Sequence, residues 1–218
     1  MQLTKNSLIV RSFVACGLIS SLVYLASDVV GALNYPRYDY AGQAISEMSA
    51  IGAPTKELLA PFYLVYSILF TLFAAGVWIA AGRRRALRWT AGFMLLLASL
   101  GIGWTLFPMN MRGHPLTFTD TMHLVMGALS TSVLLATMIA AMAAFGPRFR
   151  IYTAITMLVM LVFGYLTTLD VPRVAAGLPT PRLGLNERIN FLAWLLWMAV
   201  LSVRVLRDRL LGDGCQQE

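Results

Sequence analysis

Charge is what this sequence has least of. Only 12% of its residues are Asp, Glu, Lys or Arg, whereas 58% are hydrophobic and the mean hydropathy is +0.71. A soluble domain carries about a quarter charged residues, so this chain has too little polar surface to face water. Cysteine and histidine are scarce as well, with two of each. Cys16 and Cys215 both fall toward the same basic side of the chain, so no disulfide framework is expected. His114 and His123 come without an H-E-x-x-H helix or a cysteine ligand set, so neither a metal nor another cofactor is expected. Also missing are a Walker loop, a dinucleotide fingerprint, a G-x-S-x-G elbow and a haem-attachment cysteine pair. No basic groove with interleaved aromatics occurs, so the net charge of +7 is not a nucleic-acid footprint.

What the sequence does have is long apolar runs. Blocks near Leu8–Leu33, Leu58–Ala81, Leu87–Phe107, Met122–Phe145, Ile151–Leu169 and Leu185–Leu206 each approach the roughly 20 residues that cross a hydrocarbon core as helix. None alternates with period two, as a barrel strand would. Lipid offers no partner to a free N–H or C=O, so each block must be helical. The reading is all-α: one domain, residues 1–211, forming an integral membrane bundle of six transmembrane helices, and a short polar tail, residues 212–218. The first block exceeds a signal h-region and no A-x-A-type site follows it, so it is expected to remain as a helix. Phe13-Val14-Ala15-Cys16 is a poor lipoprotein box, because too few apolar residues precede it.

Basic residues set the expected orientation. Lys5, Arg11, Arg83, Arg84, Arg85, Arg88, Arg148, Arg150, Arg204, Arg207 and Arg209 fall on one side; Arg37, Lys56, Arg112, Arg173, Arg182 and Arg188 fall on the other. The richer side belongs in the cytoplasm, and with it both termini. This fits a multi-pass protein of a bacterial inner (plasma) membrane. The connections on the cytoplasmic side are short and imply helical hairpins. Those on the outer side are longer, and each carries a Gly-x-Pro step: Gly52-Ala53-Pro54, Gly113-His114-Pro115 and Gly177-Leu178-Pro179. In the first, Tyr40, Ala41, Ala44, Ile45 and Met48 recur at helical spacing, opposite Gln43, Ser46 and Glu47. That pattern predicts a short amphipathic helix capped by Asp39 at the outer interface.

Acidic side chains and both histidines concentrate toward the outer side, so any chemistry is expected there. Glu57, Asp120 and Glu187 stand near the starts of helices, where carboxylates satisfy free N–H groups and oppose the dipole. Asp28 and Asp170 instead lie near helix C-termini, where a negative charge needs a cation, and Arg173 is close to Asp170. Asp120 and His123, three apart, share a helix face and suit an oriented acid/base pair, against the plainer role of a hydrogen-bonded interfacial histidine. Ser46-Glu47 offers a nucleophile with an acidic neighbour, although adjacent helical residues do not face each other. The candidate catalytic residues are therefore Ser46, Glu47, Asp120 and His123. The candidate binding residues are Asp28, Gln43, Glu187 and Arg188, with Arg188 paired to Glu47 or, in its place, Asp28.

Tyr35-Pro36, Ile45-Ser46-Glu47-Met48, Gly52-Ala53-Pro54, Phe107-Pro108, His123 and Asn186-Glu187-Arg188 ahead of Trp194 and Trp197 together resemble an uncharacterised membrane family, domain of unknown function 998. The resemblance implies a six-helix membrane fold with polar residues held at these outer positions, and it implies no activity. A looser likeness to seven-helix intramembrane metal hydrolases fails on helix count and on the number of histidines. The functional expectation is an outer-facing polar pocket that binds or processes a lipid-like amphiphile, with membrane lipids as partners. Its rivals are a small-solute permease and a non-catalytic scaffold. Neither enzymatic activity nor oligomeric state is legible.

Overall fold

A computed structural model describes residues 2–214, with side chains for residues 8–208. Cys215 and the end of the expected polar tail lie outside the described residues. The chain forms α1 (Gln2–Asn34), a 3-10 turn (Ser46–Ser49), α2 (Lys56–Ala81), α3 (Arg85–Leu106), α4 (Phe118–Ala144), α5 (Pro147–Leu169), the short α6 (Val171–Ala175) and α7 (Leu183–Gly214). All but α6 and the 3-10 turn are long and apolar enough to cross a membrane, making six spans. No strand forms among the described residues; Ile51 and Asn110 make an isolated bridge. The six-helix all-α bundle read from the apolar blocks is what the chain adopts.

Local chemistry explains the helix limits. α3 stops at Leu106, just ahead of Phe107-Pro108, because proline disfavours helical geometry in the residue before it. Pro147 opens α5, where its missing N–H costs nothing. Thr117 and Asp120 close a capping box at the start of α4, each accepting from the other's backbone.

α1 packs on α2 and α7, α2 on α3, α3 on α4, and α5 on α7. The contact between α4 and α5 is slight, although only Phe145 and Gly146 separate them. The α1–α2 crossing is close because Gly76 has no side chain: a Cβ there would lie 2.8 Å from the backbone of Val14. Small residues of this kind let membrane helices approach. The core gathers Phe73, Met94, Met138, Trp197, Met198 and Leu201. α7 is the most central span, with 39% of its apolar window buried, and α5 the most peripheral, with 11%. Leucine, isoleucine and valine side chains such as Leu22, Ile68, Ile102, Leu158 and Leu196 point outward. In water such a surface would be untenable; in hydrocarbon it is the required one.

The first long loop departs from expectation. Instead of an amphipathic helix from Asp39, residues 40–45 are turns and only Ser46–Ser49 is helical. The reason is where the carbonyls go. Tyr40 and Gln43 C=O accept from Arg188, Gly42 C=O from Arg112 and Thr180, and Ala41 C=O from the Leu185 N–H. Those acceptors are unavailable for an i to i+4 ladder. Asp39 makes a tight turn, accepting from the Ala41 N–H at 3.1 Å, rather than capping a helix.

Candidate functional site at the long-loop end

The three long loops and the start of α7 meet around two arginines. Arg188, on the second turn of α7, grips the Asp28 carboxylate near the end of α1: Nη2 donates to Oδ1 at 2.9 Å and Nε to Oδ2 at 3.1 Å. Its other N–H groups reach Tyr40 C=O at 2.7 Å, Gly184 C=O at 3.2 Å and the Tyr38 hydroxyl at 3.0 Å. The Tyr40 ring lies 3.6 Å from the guanidinium carbon, and its hydroxyl donates to Asp28 Oδ2 at 2.6 Å. This side chain is buried, and all five of its donors are used. Gly184 makes the arrangement possible, since a Cβ at that position would stand 2.2 Å from Gln43 C=O.

Arg112, in the second long loop, does the same for Glu47. Nη2 donates to Oε1 at 2.8 Å and Nε to Oε2 at 3.1 Å, a fork on a carboxylate. Nη1 reaches the Thr180 hydroxyl at 2.8 Å and Leu178 C=O at 3.1 Å, which ties in the third long loop. Glu47 is 2% exposed and also accepts from the Ala44 N–H at 2.9 Å and from Gln43 Nε2 at 3.4 Å. Beneath it, Ile45, Met48 and Leu59 form a separate small core. The expected Arg188–Glu47 pair is therefore not made. Arg188 takes Asp28, and Glu47 goes to Arg112, because Glu47 lies on the side of the loop turned toward residues 112 and 180.

Electrostatics follow the geometry. The hydrogen bond to Glu47 raises the Arg112 guanidinium above its usual value. Burial pushes the Tyr38 phenol well up, and burial with the bond to Asp28 raises that of Tyr40. Both tyrosines therefore stay neutral at physiological pH, able to donate to Ala44 C=O and Asp28.

Glu187 is different. Its Oε2 accepts the N–H of Ile45, tying α7 to the first loop. Among the described residues it joins no ion pair, and it keeps partial accessibility. Tyr24 and Tyr63 stand within reach of its charge. Below them runs an aromatic column: Tyr24 stacks on Phe191 at 5.0 Å and meets Tyr66 at 5.2 Å, Tyr66 stacks on Phe70 at 6.1 Å, and Phe70 meets Trp194 at 6.2 Å.

Of the sequence candidates, Asp28, Gln43, Glu47, Glu187 and Arg188 come together here. Asp120 and His123 lie to one side and do not act on each other through a hydrogen bond. Asp120 accepts from Asn110 N–H and Nδ2 at 2.7 and 2.8 Å and from Thr117, fastening the second loop to α4. His123 Nδ1 bonds to Phe107 C=O at 2.9 Å, with its ring edge-on to Trp104. Ser46 donates no side-chain hydrogen bond to Glu47. No group of three His, Cys, Asp or Glu side chains is disposed to hold a metal among the described residues. Sequence reasoning counted Arg112 as an outer cation but gave it no partner. The usable signal was Glu47 on a segment rich in Ala, Ile and Met, since a carboxylate buried there demands a guanidinium.

No curated protein and no solved structure matches the chain. A family model does, over residues 18–204, and those residues include every member of the two arginine clusters and of the aromatic column. By that match, the chain belongs to the family described as Protein of unknown function (DUF998).

Proposed function

We propose that this membrane protein binds a lipid-like amphiphile at the outer face of a bacterial inner membrane. Glu187 would take the polar group, and the apolar part would lie against the column of Tyr24, Tyr66 and Phe191. The state of Glu187 carries the reading. Asp28 and Glu47 are saturated by guanidinium forks, whereas the Glu187 carboxylate has one N–H donor, no ion pair among the described residues and residual accessibility. A carboxylate at the head of a spanning helix that joins no ion pair is the natural contact for a ligand's donor or cation. Binding fits better than processing, because Glu47 is held by Arg112 and unavailable to activate Ser46.

A permease is less favoured. Its polar path would rest on hydroxyls, and Ser20, Thr71 and Thr137 each spend theirs on a carbonyl three or four residues back. A scaffold remains the second reading, favoured by the fully satisfied arginine clusters, which fasten the loops together without leaving spare charge.

Native mass spectrometry of protein purified in mild detergent tests the proposal. Wild type should carry an amphiphile of defined mass, lost in Glu187→Gln and kept in Arg182→Gln, which alters an exposed loop. An identical adduct in both variants, or none in wild type, would overturn it, and a stoichiometric protein partner would favour the scaffold.

A further inference from the structure

At the opposite, basic end of the bundle, α3 and α4 leave an open apolar groove of about 460 Å³. Ala136, Ala140 and Ala143 line it from α4, and Trp89 and Phe93, stacked at 5.9 Å, from α3. The alanines recur every three or four residues and share one face, so the groove is the space their missing side chains leave. Arg85 stands one turn before Trp89 on the same side of α3. Arg88 lies over the Trp78 ring at 5.6 Å, and both arginines are exposed. No carboxylate pairs with either among the described residues; Asp208, at the same end, is held by Arg84 at 3.0 Å. An apolar slot with exposed, unpaired arginines on the first turn of the same helix matches an acyl chain joined to a phosphate. A second copy of the chain would bring apolar side chains but, among the described side chains of this end, only one carboxylate, Asp208, which Arg84 already holds.

We propose that this groove is a site for an anionic phospholipid of the leaflet at the basic end, one acyl chain between Trp89 and the alanine face, its phosphate on Arg85 and Arg88. The site is separate from the one around Glu187. The test uses the full chain in dodecyl maltoside, with thermal unfolding followed while dioleoyl phosphatidylglycerol or dioleoyl phosphatidylcholine is added. Phosphatidylglycerol should raise Tm by several degrees and phosphatidylcholine should not. Ala140→Leu, which fills the groove, should abolish the rise without lowering the lipid-free Tm; Ala143→Leu serves if that variant folds poorly. The double variant Arg85→Gln/Arg88→Gln should abolish it as well. Equal responses to the two lipids, no response in wild type, or a phosphatidylglycerol response that survives both leucine variants would each overturn the proposal. So would a native dimer that Ala140→Leu dissociates, because the groove would then hold a second copy.

Discussion

Glu47 and Asp28 are each buried against a guanidinium that also binds backbone carbonyls of residues 40–43, so each arginine is both counter-ion and loop fastener. Removing one member of such a pair leaves an uncompensated buried charge, a loss of roughly 3–5 kcal/mol. Arg112→Ala should therefore lower the melting temperature in detergent sharply, as should Arg188→Ala, whereas the exposed Arg182→Ala should stay within about 0.5 kcal/mol of wild type. Combining Arg112→Met with Glu47→Gln should recover part of the loss, and equal melting of all three single variants would refute the pairing. Tyr38 gives a pH signature. Its folded-state pKa is raised above that of an unfolded phenol, about 10. Its contribution is thus fully present below about pH 10 and is lost as pH climbs toward the folded-state value. Phenolate absorbance should show a late-titrating phase, and Tyr38→Phe should reduce its amplitude.

Elements at the long-loop end are positioned by space as much as by charge. Gly184 sits on the first turn of α7 where a Cβ would collide with Gln43 C=O, Tyr40 C=O and the Arg188 guanidinium. Gly184→Ala must push the first loop away from α7 and should cost about 1–3 kcal/mol, the range for overpacking. Gly101, inside α3, meets nothing within 4 Å, so Gly101→Ala should gain roughly 0.5–1 kcal/mol from helix propensity alone. Melting curves of the two variants should move in opposite directions. Thr117→Ala breaks the capping box of α4 and frees Asn110 Nδ2 from one of its partners, for an expected loss of about 1 kcal/mol.

For the whole molecule, the distribution of arginine predicts the orientation. Cysteines at His114 and Leu178, both on exposed parts of the long loops, should react with an impermeant maleimide on intact cells, and one at Arg83 only after lysis. Reversed labelling would invert the topology and move the proposed Glu187 site to the cytoplasmic side.

The six helices were legible because a bilayer leaves the chain little choice: an apolar run of spanning length must satisfy its own backbone, and only a helix does so within one segment. The carboxylate at the start of α4, Asp120, was local chemistry and equally readable. So was the concentration of Asp28, Gln43, Glu47, Glu187 and Arg188 at one end, since alternating helix directions bring every second loop to the same side. The sequence could not assign partners within that end. Arg112, Arg182 and Arg188 are equivalent as charges, and Asp28 and Glu47 are equivalent as acceptors. Tertiary structure made the choice through distance, packing Arg188 under Tyr40 against Asp28 and turning Glu47 toward Arg112. The same contacts took the carbonyls of Tyr40, Gly42 and Gln43 and so unmade the loop helix that periodicity implied. Periodicity reports which faces are apolar, but where a buried guanidinium has no water to bind, the nearest carbonyls decide the backbone.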